Sequence, residues 1–186
     1  LRILRTSPRR WVAWPGEKPV IDLGWSEEKW KTALEAERAK RDGQDKRYAM
    51  TQGYGHRVWL DQCDDLLFDG LEVKNAAYYM FQMNDGNRSR LTWRRCHLHH
   101  LYCDGSENPA FIFTFAPDRK FEKAAPGESV PFGKRPQSTP YRHLVVQECT
   151  FSDRSTATAH GGALTWMVTQ GCLVEDCRFE RVDDAI

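Results

Sequence analysis

The sequence predicts an all-β solenoid, a stack of short coils whose neighbouring strands pair in parallel. Two observations carry that expectation. Apolar residues repeat with the strand period in four ungapped segments, and the segments recur at spacings that suit one coil per repeat. Composition limits the alternatives. The 186 residues are 40% hydrophobic and carry 27 Lys+Arg against 26 Asp+Glu, enough for one sizeable core. So balanced a charge argues against a polyanion binder acting through bulk charge, and no nucleic-acid partner is expected. No apolar run approaches the roughly 18 residues of a membrane span, so no membrane insertion is expected.

The four segments are Leu66–Val73, Leu91–Leu98, Leu144–Phe151 and Cys172–Phe179. Apolar residues fill the first, third, sixth and eighth places of each. Leu66, Leu91, Leu144 and Cys172 form one column; Phe68, Trp93, Val146 and Val174 form the next. Leu71, Cys96, Cys149 and Cys177 form a third, followed by Val73, Leu98, Phe151 and Phe179. Spacing of two within a pair is the strand period, and the shift between pairs marks a sharp bend. Asp69, Arg94, Gln147 and Glu175 stand just before that bend and face outward by parity.

A second register supports the first. Ala77-Tyr78, Ala110-Phe111, Ala163-Leu164 and Ala185-Ile186 each open a further short apolar strand. The cysteine-type column is spaced 25, 53 and 28 residues apart (96−71, 149−96, 177−149), and the alanines 33, 53 and 22 (110−77, 163−110, 185−163). The shared jump of 53 means that one coil carries a long excursion.

Two insertions interrupt the coils. Residues 26–47 form a charged insertion that is helical over about 26–42, with Ser26 as N-cap, Glu27 and Glu28 in the first turn and Gly43 as a stop signal. Trp30 and Leu34 give it one narrow apolar stripe, placing it as a surface helix on or near the end of the stack. The second insertion, 117–140, holds five of the nine prolines and reads as a loop rather than regular structure. Its Arg119, Lys120, Lys123, Lys134 and Arg135 make it basic, which suits a loop beside an anionic glycan as well as a mere decoration.

Chemistry should gather where two consecutive coils have long gaps between the third column and the alanines. Both gaps are 14 residues (110−96 and 163−149). Their turns should lie side by side, bringing His97, His99, His100, Asp104 and Glu107 beside Asp153, Arg154 and His160, with Asp183 and Asp184 one coil further on. Histidines, carboxylates and an arginine on one edge are the groups that acid–base work requires. His97 and His99 share a face of an extended strand, but no third metal ligand is identifiable, and solvent-exposed histidines are expected.

The units "LVVQECTF" and "CLVEDCRF", with "DDAI" opening a further coil, resemble the right-handed parallel β-helix (pectate-lyase-like) superfamily over roughly Trp59–Ile186. An extra coil is expected in Trp11–Asp22. The resemblance implies a single β-helix domain over residues 1–186, continued by coils beyond Ile186. It implies a carbohydrate-active protein that cleaves an acidic polysaccharide by hydrolysis or β-elimination, located outside the cell, at its surface or in a periplasm. A non-catalytic glycan-binding or structural β-helix is the alternative. Asp183-Asp184 resembles the paired aspartates of polygalacturonase-type hydrolases, and His160 their glycine-flanked histidine. That assigns catalysis to Asp183, Asp184 and His160, and substrate binding to Arg154, Asp153, Asp104, Glu107 and His99. No cofactor is identified from the residues, and Ca²⁺ enters through the family alone. The apolar stack headed by Phe151 and Phe179 implies self-association through an open C-terminal edge. Within the stack, Cys96, Cys149 and Cys177 are expected as reduced core residues.

Overall fold

The computed structural model describes residues 2–4, 9–40, 57–61, 63–83, 89–103, 110–114, 141–155, 162–166 and 169–182. Within them the chain repeats one three-strand course five times. The first course is β1 (Arg2–Leu4), β2 (Arg9–Val12) and β3 (Val20–Asp22), followed by α1 (Glu27–Lys40). The second is β4 (Val58–Asp61), β5 (Leu66–Asp69) and β6 (Glu72–Ala77); the third is β7 (Tyr79–Met83), β8 (Ser89–Arg94) and β9 (His97–Tyr102). The fourth is β10 (Ala110–Thr114), β11 (Tyr141–Gln147) and β12 (Thr150–Ser155). The fifth is β13 (Leu164–Trp166), then β14 (Thr169–Gln170) and β15 (Leu173–Glu175), which share one place beside β11, and β16 (Arg178–Glu180). Corresponding strands pair in parallel to build three stacked sheets: β1-β4-β7-β10-β13, β2-β5-β8-β11-β14/β15 and β3-β6-β9-β12-β16.

The columns read from the sequence are the columns of the core. Leu66, Leu91 and Leu144 are register partners, as are Phe68, Trp93, Val146 and Val174. Val73, Leu98, Phe151 and Phe179 form the matching column of the third sheet. The extra coil is present as well, since Trp11 pairs with Phe68 and Ile21 with Val73. Phe68 and Trp93 stack at 5.9 Å and Phe151 and Phe179 at 5.2 Å. Each fully buried side chain of this size contributes roughly 1.5–3 kcal/mol.

The bend between the second and third sheets has a backbone cause. Gly70, Arg95, Glu148 and Asp176 occupy it in successive coils, all at positive φ. Two further columns repeat the device: Asp65, Arg90, His143 and Gly171 at the start of the second sheet, and Asn75, His100, Asp153 and Arg181 within the third. A left-handed residue interrupts the alternation of faces, as a bulge does. Leu98 points inward and His99 outward, yet Leu101, three residues after Leu98, is again fully buried.

The alanine register needs correction. Ala110 pairs with Tyr79, and Ile112 with Leu164, so Ala77, Ala110 and Ala163 do not share a column. Ala77 closes β6 opposite Tyr102. The corner from there to β7 is the single residue Tyr78, buried, at φ 62°, its N–H donating to the Tyr102 carbonyl and its carbonyl accepting from Ala110.

The helix begins as expected, with the Ser26 hydroxyl accepting the Lys29 N–H at 3.2 Å. It packs on the side of the stack, not its end. Trp30 meets Tyr78 edge-on at 5.4 Å and joins Tyr79, Tyr102 and Phe113, residues of the corner at Tyr78 and of the first sheet beside it. The two tyrosines at the tight corner supply the apolar seat that a solenoid end would otherwise offer. The 41–56 and 117–140 segments lie outside the described residues. No described helix is long and apolar enough to cross a membrane.

Candidate functional site

The outer face of the third sheet assembles two rows across its strands. Glu72, His97, Thr150 and Arg178 form one; Asp22, Lys74, His99, Ser152 and Glu180 form the other. The left-handed column Asn75, His100, Asp153 and Arg181 runs beside them. His97, His99 and His100 are therefore adjacent to Asp153 of the next coil, but these residues stand on strands and not in turns. His97, His99 and His100 belong to β9, and Asp153 and Arg154 to β12.

At the centre stands His99, 9% exposed, so the expectation of solvent-exposed histidines fails here. Its ring stacks on His97 at 4.3 Å, and its Nε2 lies 3.1 Å from Glu72 Oε1. Its Nδ1 faces Nδ1 of His100. Burial holds His99 below the ordinary histidine pKa against the pull of Glu72. Burial alone would raise Glu72, yet hydrogen bonds from His99 and Lys74 keep its carboxyl below the usual range. Asp153 is pulled down to about 2, chiefly by Arg181, whose Nε sits 2.6 Å from Oδ1, and also by Ser152. The Ser152 hydroxyl lies 2.9 Å from Asp153 Oδ2 and 3.1 Å from His97 Nε2.

Arg154 does not belong to this surface. It is 6% exposed and stands in register with the buried Leu101, because the left-handed Asp153 turns the following residue inward. Asp104, Glu107, His160, Asp183 and Asp184 lie outside the described residues.

The second sheet carries a feature that the sequence reading missed. A groove of about 510 Å³ has Leu67 and Thr92 on its floor, with Arg9, Arg10, Arg90 and Asp65 around it. Arg90 is paired to Asp65 through both oxygens, whereas Arg9 and Arg10 have no carboxylate partner among the described residues. The coil spacing could have exposed it, since 90−65 equals the 25 of the core column. Further along the face, Asp69 stands in the outward row opposite Arg94 yet is only 1% exposed, held beneath Arg94 and Arg95.

Comparison with known proteins brings no match, neither to a family model nor to a curated protein or a solved structure. The chemistry is read from the geometry.

Proposed function

We propose that the protein is a right-handed parallel β-helix that binds an acidic polysaccharide along its outer faces, in the second-sheet groove first of all. The observation that carries this reading is the groove's pairing of two guanidinium groups, Arg9 and Arg10, which have no carboxylate partner among the described residues, with a floor that offers the Leu67 side chain and the Thr92 methyl. A guanidinium matches a carboxylate with two parallel hydrogen bonds. The floor suits the C–H face of a sugar ring, and a stack of coils offers an extended surface for an extended chain. Short corners between parallel strands favour the right-handed course.

Cleavage, by hydrolysis or β-elimination, would draw on His160, Asp183 and Asp184. The described carboxylates with a perturbed pKa, Asp22, Glu27, Asp65, Asp69, Glu72 and Asp153, are all lowered. A general acid for glycoside hydrolysis needs the opposite shift. That favours the non-catalytic alternative for the described surface and leaves proton donation to residues outside it. Such substrates lie beyond the cytoplasm, so a secreted, periplasmic or surface location belongs to the same proposal.

The test is binding of polygalacturonate and alginate against a neutral glucan, with turnover followed by viscosity. Tighter binding of the acidic chains, weakened about tenfold in Arg9→Ala/Arg10→Ala, supports the reading. Equal affinity for the neutral glucan, or indifference to that double substitution, overturns it. Loss of turnover but not of binding in Asp183→Asn or His160→Ala would make the protein an enzyme. Binding with no turnover in the parent chain would make it a binding module.

A further inference from the structure

We propose that His99, His100 and Asp153 form a binding site for a first-row divalent cation of the Zn²⁺ type on the outer face of the third sheet. This site stands apart from the groove, and it does not depend on glycan binding.

Neighbouring strand residues ordinarily point to opposite faces, so a His-His pair should not converge. Here His100 adopts φ 56°, and Nδ1 of His100 comes to face Nδ1 of His99. Asp153 adopts φ 59° at the same place in the next coil, beside His100. One donor atom from each of the three lies within 4.8 Å of the other two. A tetrahedral ion with bonds of about 2.0–2.2 Å sets its donors roughly 3.3–3.6 Å apart, so closure requires shifts of up to about 1.5 Å. The exposed His100 ring is free to supply that movement.

The surroundings suit the ion. Nε2–H of His99 donates to Glu72 at 3.1 Å, which leaves the Nδ1 lone pair directed into the cluster. A carboxylate holding the far nitrogen of a ligating histidine is the usual outer support of such sites. Asp153 is fixed through Oδ1 by Arg181. Its Oδ2 carries the Ser152 hydroxyl, which has a second partner in His97 Nε2 and can turn to it. Two imidazoles and one carboxylate select Zn²⁺ and its transition-metal neighbours over Ca²⁺ or Mg²⁺, which prefer all-oxygen shells. Three protein ligands on an open face leave a fourth position for water or substrate.

The experiment titrates the chelator-treated full chain with Zn²⁺ by calorimetry and with Co²⁺ by visible absorption. His100→Asn and Asp153→Asn remove ligands while keeping a residue type that tolerates positive φ. Glu72→Gln weakens the support alone. One-site binding is expected, with the Co²⁺ bands of a four- or five-coordinate ion. Glu72→Gln should weaken it about tenfold or more, the two ligand variants should weaken it further, and His143→Gln on the second sheet should leave it unchanged. Circular dichroism identifies any variant that fails to fold, and the remaining ones decide. Absence of binding in the parent chain overturns the proposal. So does binding that all three variants retain, which would place the ion elsewhere on the chain.

Discussion

Asp69 of the second coil is sealed from solvent by Arg95 of the third, whose Nη2 lies 2.7 Å from Oδ2, with Arg94 Nη2 at 2.6 Å on the same oxygen. The Asp69 side chain is 2% exposed and the Arg95 and Arg94 side chains 57% and 40%. The two sides of the pair therefore respond differently to loss of the partner. Arg94→Met/Arg95→Met strands a buried charge and should cost about 3 kcal/mol, whereas Asp69→Asn frees two arginines into water and should cost about 1 kcal/mol. Urea unfolding of the variants measures the asymmetry.

Acid should loosen the contact between the fourth and fifth coils. The folded pKa of Asp153 is about 2, held down first by Arg181, against about 3.9 in an unfolded chain. A depressed carboxylate pKa contributes stability that is fully present above the unfolded value. It is lost as pH falls from about 4 through 2. The urea midpoint should drop over that window, and the drop should be smaller in Asp153→Asn. An equal drop in both would assign the acid sensitivity to the other depressed carboxylates, Asp69 and Glu72 among them.

Opposite signs are expected along one left-handed column. A Cβ on Gly70, at φ 73°, would meet the Ala13 side chain at 3.0 Å, so Gly70→Ala should destabilise by about 1–2 kcal/mol. Glu148, two coils on at φ 52° and exposed, gains from losing its Cβ. Glu148→Gly should be neutral to about 1 kcal/mol stabilising, since relief of strain offsets the added chain entropy. Thermal midpoints of the two variants provide the comparison.

All six thiols should titrate in denatured, unreduced protein, for none is in a disulfide. Cys149 is 1% exposed, and its Sγ donates to the Gln147 carbonyl at 3.3 Å. Cys149→Ser should cost about 1–3 kcal/mol, because a hydroxyl there enters an apolar stack. A thiol count below six would contradict the core as described.

The stack was legible because its columns hold like residues: Leu66, Leu91 and Leu144 share chemistry as well as register. The alanine register misled because Tyr78 alone separates β6 from β7, whereas β9 ends at Tyr102 and β10 begins only at Ala110. The site was half legible. The spacing of 53 carries His100 onto Asp153 as surely as it carries Cys96 onto Cys149, so their adjacency could be counted out. That both side chains would face His99 could not, because positive φ at a histidine and an aspartate leaves no signature in composition or parity. Arg154 was misplaced by the same shift of face. The arginine groove needed the pairing of Arg90 with Asp65 before Arg9 and Arg10 stood out.

The one-residue corner also sets an order of opening. Both backbone groups of Tyr78 are bonded across coils, to Tyr102 and to Ala110, and Trp30 covers its ring. Stacked repeats exchange stability with their nearest neighbours, so opening starts where a coil has one neighbour and spreads inward. Between the second and third coils no slack chain exists to let them part separately. In amide hydrogen exchange the Tyr78 N–H should therefore be among the last protons to leave.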